Sequence, residues 1–177
     1  AGPANKQGRI AADNICGGNS RFHGSQGSSV LKLFGLTAAS TGINEKAAQA
    51  AGSAYDKVVL FPVSHAAYYP GAQSMAMKVL YEKESLRLLG AQIVGGEGVD
   101  KRIDVLATAI RAKMTALELT ELDLSYAPPY SSAKDPVNMA GFMIEDLESG
   151  KVRQFHWNEV EDLPCDGNAT LLDVRTE

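Results

Sequence analysis

The stretch MAMKVLYEKESLRLLGAQIV, residues 75–94, decides the fold of this chain. In its first half, Met75, Met77 and Val79 occupy every second position, as the side chains on one face of a β-strand do. A polar turn at residues 82–85 follows, and residues 86–94 form a second apolar run. The segment therefore predicts a β-hairpin with one fully buried face.

Strands and helices predicted on both sides of this hairpin extend it into an α+β domain. The predicted strands cover residues 29–36 and 57–63, and the predicted helices cover residues 45–51 (capped by Asn44), 99–114, 117–124 and 136–148. The helix at 99–114 carries its apolar residues on one face. Meandering strands combined with helices favour an antiparallel sheet with helices on one face.

Length and composition restrict the classes of protein to which the chain can belong. It has 177 residues, 45% of them hydrophobic, and a net charge of −4 from 17 Lys+Arg and 21 Asp+Glu. These values are typical of one globular domain with pieces of its neighbours. No apolar run approaches the roughly 20 residues that span a bilayer, and no basic face is apparent. We therefore expect neither a membrane nor a nucleic-acid partner.

The cysteines and histidines indicate neither a metal site nor a disulfide framework. Cys16 and Cys165 lie far apart and outside any CxxC pair, and the three histidines lack the spacing of metal ligands. We expect no bound metal and a reducing, cytoplasmic compartment.

Both ends of the chain lack the partners that their patterns require. A helix predicted from Ala4 to Ile15 has no strand before it on which to pack, and residues 170–177 read as the first strand of a further unit. We therefore expect a central slice of a longer polypeptide.

Two loops are candidates for a functional site. Residues 64–72 contain Tyr68 and Tyr69, and the proline-braced residues 125–136 contain Tyr126, Tyr130 and Lys134. Tyrosines in turns often serve only packing, and that interpretation stays open. Prolines, however, hold a loop in one shape, a neutral phenol can donate a hydrogen bond to an anion such as a thiolate, and a lysine at a helix start suits a phosphate.

Four segments in consistent order resemble coenzyme A-disulfide reductases, flavoproteins of the pyridine nucleotide-disulfide oxidoreductase family. The segments are AGPANKQGR (1–9), LTAASTGINE (36–45), YYPG (68–71) and YAPPYSSAKDP (126–136), the last being the most specific. The shorter match LLDVR (171–175) resembles the opening of a rhodanese domain.

The resemblance implies a domain organisation and a redox chemistry. Residues 1–36 would be the tail of an FAD-binding domain, its last helix and strand. Residues 37–150 would be the dimerisation domain, and residues 151–177 a linker and the first strand of a rhodanese-like domain. In such enzymes NAD(P)H reduces FAD, which reduces a single cysteine that forms a mixed disulfide with coenzyme A.

The resemblance also implies roles for particular residues, in a homodimer whose tyrosines reach into the partner subunit's site. Tyr68 and Tyr126 would donate hydrogen bonds around the sulfur chemistry, with Tyr126 also near the flavin. The other expected contacts are Ala1 and Gly2 near the flavin, Asn5 near coenzyme A, and Lys134 on a coenzyme A phosphate.

The redox cysteine of the family has no counterpart here, because neither Cys16 nor Cys165 matches its surroundings. The chain alone is therefore expected to be inactive and to bind no FAD tightly. The alternatives are an NADH oxidase or peroxidase of the same family, or a dimeric interaction module without chemistry. Coenzyme A disulfide, its persulfide and polysulfide all remain open as substrates, as do NADH and NADPH.

Overall fold

The structure is a computed structural model, and it describes residues 2–163, 166–168, 170 and 172. The chain divides into two compact units, residues 1–145 and residues 146–177. The strands are β1 (Ser29–Leu33), β2 (Leu36–Gly42), β3 (Tyr55–Leu60), β4 (Met75–Glu82) and β5 (Leu88–Gly95). The α-helices are α1 (Gly2–Ile15), α2 (Glu45–Ala50), α3 (Val99–Arg111) and α4 (Pro136–Glu148). Short 3-10 helices cover Leu117–Glu121 and Trp157–Asp162.

The five strands form one antiparallel sheet in the order β1-β2-β5-β4-β3. Strands β4 and β5 are the predicted hairpin, with Met77 opposite Ile93. The returning strand begins at Leu88, two residues later than predicted, because Leu86 has a φ of 57° and lies in the turn. The α+β class and the antiparallel sheet are thus confirmed.

The core lies between the sheet and α3, which packs on β2 and β5. Met75, Met77 and Val79 are at most 1% exposed, as their alternation predicted. Each such side chain contributes about 1.5–3 kcal/mol when it is buried. This face of the sheet is therefore filled from within the chain.

The short helix α2 lies toward the other face of the sheet. Asn44 caps it as predicted. Its Glu45 pairs with Lys57 of β3 and Lys78 of β4. Since Lys78 alternates with the buried Met77 along β4, Glu45 meets the face opposite to the core.

Further predicted element boundaries differ from the structure, among them the end of the helix predicted at 99–114, which is Arg111. The strand predicted at 29–36 is β1 followed by a turn at Phe34, whose φ of 52° ends the strand. The strand predicted at 57–63 is β3, which starts at Tyr55 and ends at Leu60. The helix predicted at 117–124 is only a 3-10 helix, since Leu122 is already extended. The proposed domain boundaries stay a prediction, although β1 joins the same sheet as the strands after residue 36.

The helix α1 is the longest helix among the described residues, with 14 residues, and none of its side chains is buried. It begins at Gly2, two residues before the predicted start, and ends at Ile15 as predicted. No helix in the described part of the chain is both long and apolar enough to cross a membrane.

The second unit is described in part. Its 3-10 helix starts with a capping interaction in which the backbone N–H of His156 donates to the Glu159 carboxylate at 2.7 Å. The strand predicted at residues 170–177 lies outside the described residues, apart from residues 170 and 172.

Candidate active site

A cavity of about 450 Å³ opens where three segments of the first unit meet. The segments are the loop after β3, the glycine-rich turn into α3, and the proline-braced loop before α4. Its lining includes Ser64, His65, Lys101, Arg102, Tyr126 and Tyr130. The two loops that the sequence singled out therefore meet at one site.

The hydroxyl groups of Tyr68 and Tyr126 are hydrogen-bonded to each other beside this cavity. Their oxygens are 3.2 Å apart, although the residues are 58 positions apart in the sequence. Tyr68 is 77% exposed and Tyr126 is 48% exposed, so neither serves mainly as core packing. The hydrogen bond that it shares with Tyr126 raises the pKa of Tyr68 above its ordinary value. Tyr68 is therefore a neutral phenol at physiological pH, and the pair keeps one proton free for an outside acceptor.

Arg102 is a buried cation behind the two tyrosines, and only 1% of it is exposed. Its Nε and Nη2 donate to the Asp135 carboxylate, the shortest of these contacts being 2.9 Å. Its Nη2 also donates to the carbonyl oxygens of Ser64 at 2.9 Å and Tyr130 at 3.3 Å, and its Nη1 to that of Gly98 at 3.2 Å. One guanidinium thus connects all three segments around the cavity.

Asp135 neutralises this buried cation and begins α4. Burial raises the pKa of its carboxyl, but hydrogen bonds from Arg102, the backbone N–H of Val137 and the Ser131 hydroxyl outweigh burial and hold that pKa below its usual range. The Ser131 bond is 2.7 Å and the Val137 bond is 3.0 Å. Asp135 is therefore ionised at neutral pH and caps the helix at the same time.

The glycines of the turn at 95–98 make room for protein groups and not for a ligand. A Cβ on Gly96 would collide with the Gln73 side chain, and a Cβ on Gly98 with the Arg102 guanidinium. Gly98 also has a φ of +73°, a conformation that favours glycine. The turn is thus a tight packing turn and not a phosphate cradle.

The described residues do not fit a nucleotide cofactor by themselves. In the strand–turn–helix formed by β5 and α3, protein side chains occupy the space beside the glycines. The turn therefore cannot hold a pyrophosphate as a dinucleotide-binding loop does. Among the residues that the structure describes, no group of three His, Cys, Asp or Glu side chains could hold a metal ion.

The other predicted site residues lie outside the cavity lining. Lys134 is exposed, with its Nζ 5.9 Å from the centre of the Phe142 ring, and the lysine that lines the cavity is Lys101. Gly2 and Asn5 lie on the exposed helix α1, and Ala1 lies outside the described residues. The roles given to these four residues remain predictions.

The sequence analysis missed Arg102 and Asp135, although a signal for Arg102 was present. Residue 102 lies three positions after Val99 and four before Leu106, so it falls on the apolar face of α3. A charged residue on such a face needs a buried partner. The partner, 33 residues away, carries no comparable signal.

Comparison with known proteins defines the class of this chain. Residues 29–136 match the family described as pyridine nucleotide-disulphide oxidoreductase, dimerisation domain. The chain therefore belongs to the pyridine nucleotide-disulphide oxidoreductases.

Three individual proteins of known name are similar to the chain over most of its length. The chain is 41% identical over 145 residues to the coenzyme A disulfide reductase of Staphylococcus haemolyticus, covering 81% of this chain and 32% of that protein. The reduced CoADR-RHD of Bacillus anthracis superposes with a TM-score of 0.86 at 48% identity, over 90% of this chain and 29% of that chain. The NAD-dependent persulfide reductase of A. fulgidus superposes with a TM-score of 0.86 at 44% identity, over 90% of this chain and 29% of that chain. The chain thus spans about a third of the length of its relatives.

Proposed function

We propose that this chain is the dimerisation part of an enzyme that uses FAD and NAD(P)H to reduce a disulfide or persulfide of coenzyme A. The observation that carries the proposal is the Tyr68–Tyr126 hydroxyl pair beside a cavity built by both candidate loops. The similarity to a coenzyme A disulfide reductase and to a persulfide reductase supports it. The redox cysteine and the cofactor-binding regions would come from the rest of a longer protein.

The tyrosine pair suits the leaving step of thiol–disulfide exchange. A thiolate attacks one sulfur of the disulfide, the S–S bond breaks, and the departing sulfur takes the bonding electron pair as a thiolate. Within the pair one hydroxyl donates to the other, which keeps its own proton for that departing sulfur. A preorganised donor of this kind contributes about 2–4 kcal/mol to the transition state.

The remaining assignments belong to the same proposal. Asn5 and Lys134 contact coenzyme A, while Ala1, Gly2 and Tyr126 lie near the flavin. The protein acts in the cytoplasm and continues into a rhodanese-like domain, as the LLDVR segment suggests. The NADH oxidase alternative and the interaction-module alternative are not favoured, because the relatives above are reductases.

Kinetics of phenylalanine variants in the full-length protein test the role of the tyrosine pair. Tyr68→Phe combined with Tyr126→Phe should lower kcat on the order of 10²-fold, because the departing sulfur loses its hydrogen-bond donor. Turnover of coenzyme A disulfide and of coenzyme A persulfide should be measured separately. Tyr55→Phe is the matched control, since its hydroxyl bonds Gln49 and Glu45 away from the cavity. An unchanged kcat in the double variant would refute the catalytic role.

The homodimer that we propose uses the face of the sheet opposite to the core. Leu31, Ala38, Val94 and Ala76 are successive cross-strand neighbours on β1, β2, β5 and β4, and we call them the apolar stripe. Leu31 is 60% exposed and Val94 is 44% exposed. We assign the stripe to a second copy of this chain because the matched family is a dimerisation domain.

Sedimentation of stripe variants tests this interface. In the full-length protein, Leu31→Glu with Val94→Glu should convert the dimer to monomer, because like charges in an apolar interface lose hydration without gaining partners. Phe61→Glu, at an apolar residue that is 73% exposed outside the stripe, is the control and should stay dimeric. A dimer that survives the double change would refute the assignment of the stripe to the dimer interface.

A further inference from the structure

The positions of Tyr68 and Tyr126 depend on their backbones and not on their own side chains. Within the described residues, the hydrogen bond recorded for each hydroxyl is the one to the other hydroxyl. Tyr68 is largely exposed and Tyr126 is about half-exposed, so core packing does not fix the hydroxyl groups. Whatever holds the two loops in register therefore determines whether the hydroxyls meet.

The loops are anchored at corresponding places by one group. Ser64 lies four residues before Tyr68, and Tyr130 lies four residues after Tyr126. The carbonyl oxygens of Ser64 and Tyr130 both accept from Nη2 of Arg102. The guanidinium thus sets the separation between the two loops.

A second contact joins the same loops, and it belongs to the same cluster. The backbone N–H of Ala66 donates to the carbonyl oxygen of Ser131 at 3.1 Å. The hydroxyl of Ser131 in turn donates to Asp135 at 2.7 Å and accepts from Arg102 at 3.3 Å. The loop-to-loop contact is therefore attached to the Arg102–Asp135 pair.

Asp135 fixes the orientation of Arg102. Its two oxygens face Nε and Nη2, which defines the plane of the guanidinium. A lysine at residue 102 has a single ammonium group and could not reach the carboxylate and the two loop carbonyls together. The function of the pair is thus geometric and requires the fork of an arginine.

We propose that Arg102 and Asp135 are positioning residues, which hold the two loops so that the hydroxyls of Tyr68 and Tyr126 meet. The proposal deepens the function proposed above and rests on it for any effect on turnover. The geometric part of it can be measured without turnover.

The test uses the full-length protein with Arg102→Met and Asp135→Asn combined. This double variant keeps the side-chain length at residue 102 and a helix cap at residue 135, and it leaves no unpaired buried charge. Glu45→Gln is the matched control, because it removes a different ion-pair cluster on the same sheet. Arg102→Lys tests the need for the planar fork. The readouts are the titration of Tyr68, observed with isotope-labelled tyrosine, and kcat.

In the double variant, Tyr68 should titrate at a lower pH than in the wild type, although Tyr126 is still present. The same shift is expected in Tyr126→Phe, which lacks the partner hydroxyl. Its kcat should fall about tenfold or more, since a displacement near 1 Å can cost that much. Arg102→Lys should behave likewise, and Glu45→Gln should change neither readout. A folded double variant with the wild-type Tyr68 titration overturns the proposal.

Two further outcomes are informative. If the double variant does not fold, Arg102→Lys decides, because it keeps a buried cation beside Asp135 and removes only the planar fork. A wild-type Tyr68 titration in Arg102→Lys would then contradict the proposal. A shifted Tyr68 titration with unchanged kcat supports the positioning role and counts against the catalytic function of the tyrosines.

Discussion

Replacing Gly98 by alanine should destabilise the first unit more than its backbone strain alone explains. Gly98 has a φ of +73°, so any alanine there costs about 1–2 kcal/mol. The added Cβ would also collide with Nη1 of Arg102, which donates to the Gly98 carbonyl at 3.2 Å. Because the guanidinium is buried and held by further bonds, it cannot move away freely. Losing one hydrogen bond to a charged group costs about 1.5–3 kcal/mol more.

Gly52→Ala separates the cost of backbone strain from the cost of the collision with Arg102. Gly52 has a φ of +64° but nothing within 4 Å of the position of a Cβ, so it measures strain without collision. In urea unfolding of the 177-residue chain, followed by circular dichroism, Gly98→Ala should lose about 1.5–3 kcal/mol more than Gly52→Ala. Equal losses, within about 0.5 kcal/mol, would show that Arg102 yields without cost and would refute the reasoning.

Two further predictions concern charged residues near the site. The pKa of Asp135 is held below its usual value of about 3.9, so the stability from its carboxylate is complete above that pH and is lost as the pH falls through the lowered pKa. The stability difference between wild type and Asp135→Asn should therefore stay constant from pH 7 to about 5 and shrink only below about pH 4, measured by unfolding at each pH; a difference that shrinks near pH 6 would contradict the lowered pKa. Lys134→Ala in the full-length protein should raise the KM for coenzyme A substrates with little change in kcat, because a phosphate contact binds ground and transition states alike. Lys83→Ala, another exposed lysine, is the control, and an unchanged KM in Lys134→Ala would exclude the phosphate contact.

The regular part of the fold was predictable because its signals are local. The alternation of Met75, Met77 and Val79 indicated the buried strand, and Asn44 and Pro136 marked two helix starts where the structure has them. Two of the errors lie where a positive φ bounds a strand, at Phe34 and at Leu86. A non-glycine residue in that conformation leaves no compositional sign in a single sequence.

The candidate site was only partly predictable, for a different reason. The loops of Tyr68 and Tyr126 stand out in the sequence because of their tyrosines and prolines. The pair that holds the loops joins residues 33 positions apart, and although Arg102 falls on the apolar face of α3, the sequence gives no sign that Asp135 is its partner. The identity of the cavity lysine, Lys101 and not Lys134, likewise depends on how α3 meets the loops. Such distant pairings follow from the packed structure and not from local pattern.

The buried charge of Arg102 is best explained by the backbone carbonyl groups of the loops around it, which require hydrogen-bond donors. A buried ion pair often contributes no more stability than apolar residues of the same volume. Loops, however, expose carbonyl groups that no strand or helix satisfies, and Arg102 pairs those of Ser64 and Tyr130 at once. Because Arg102 stands on α3, which packs directly on β2 and β5, its side chain links both tyrosine loops to the sheet.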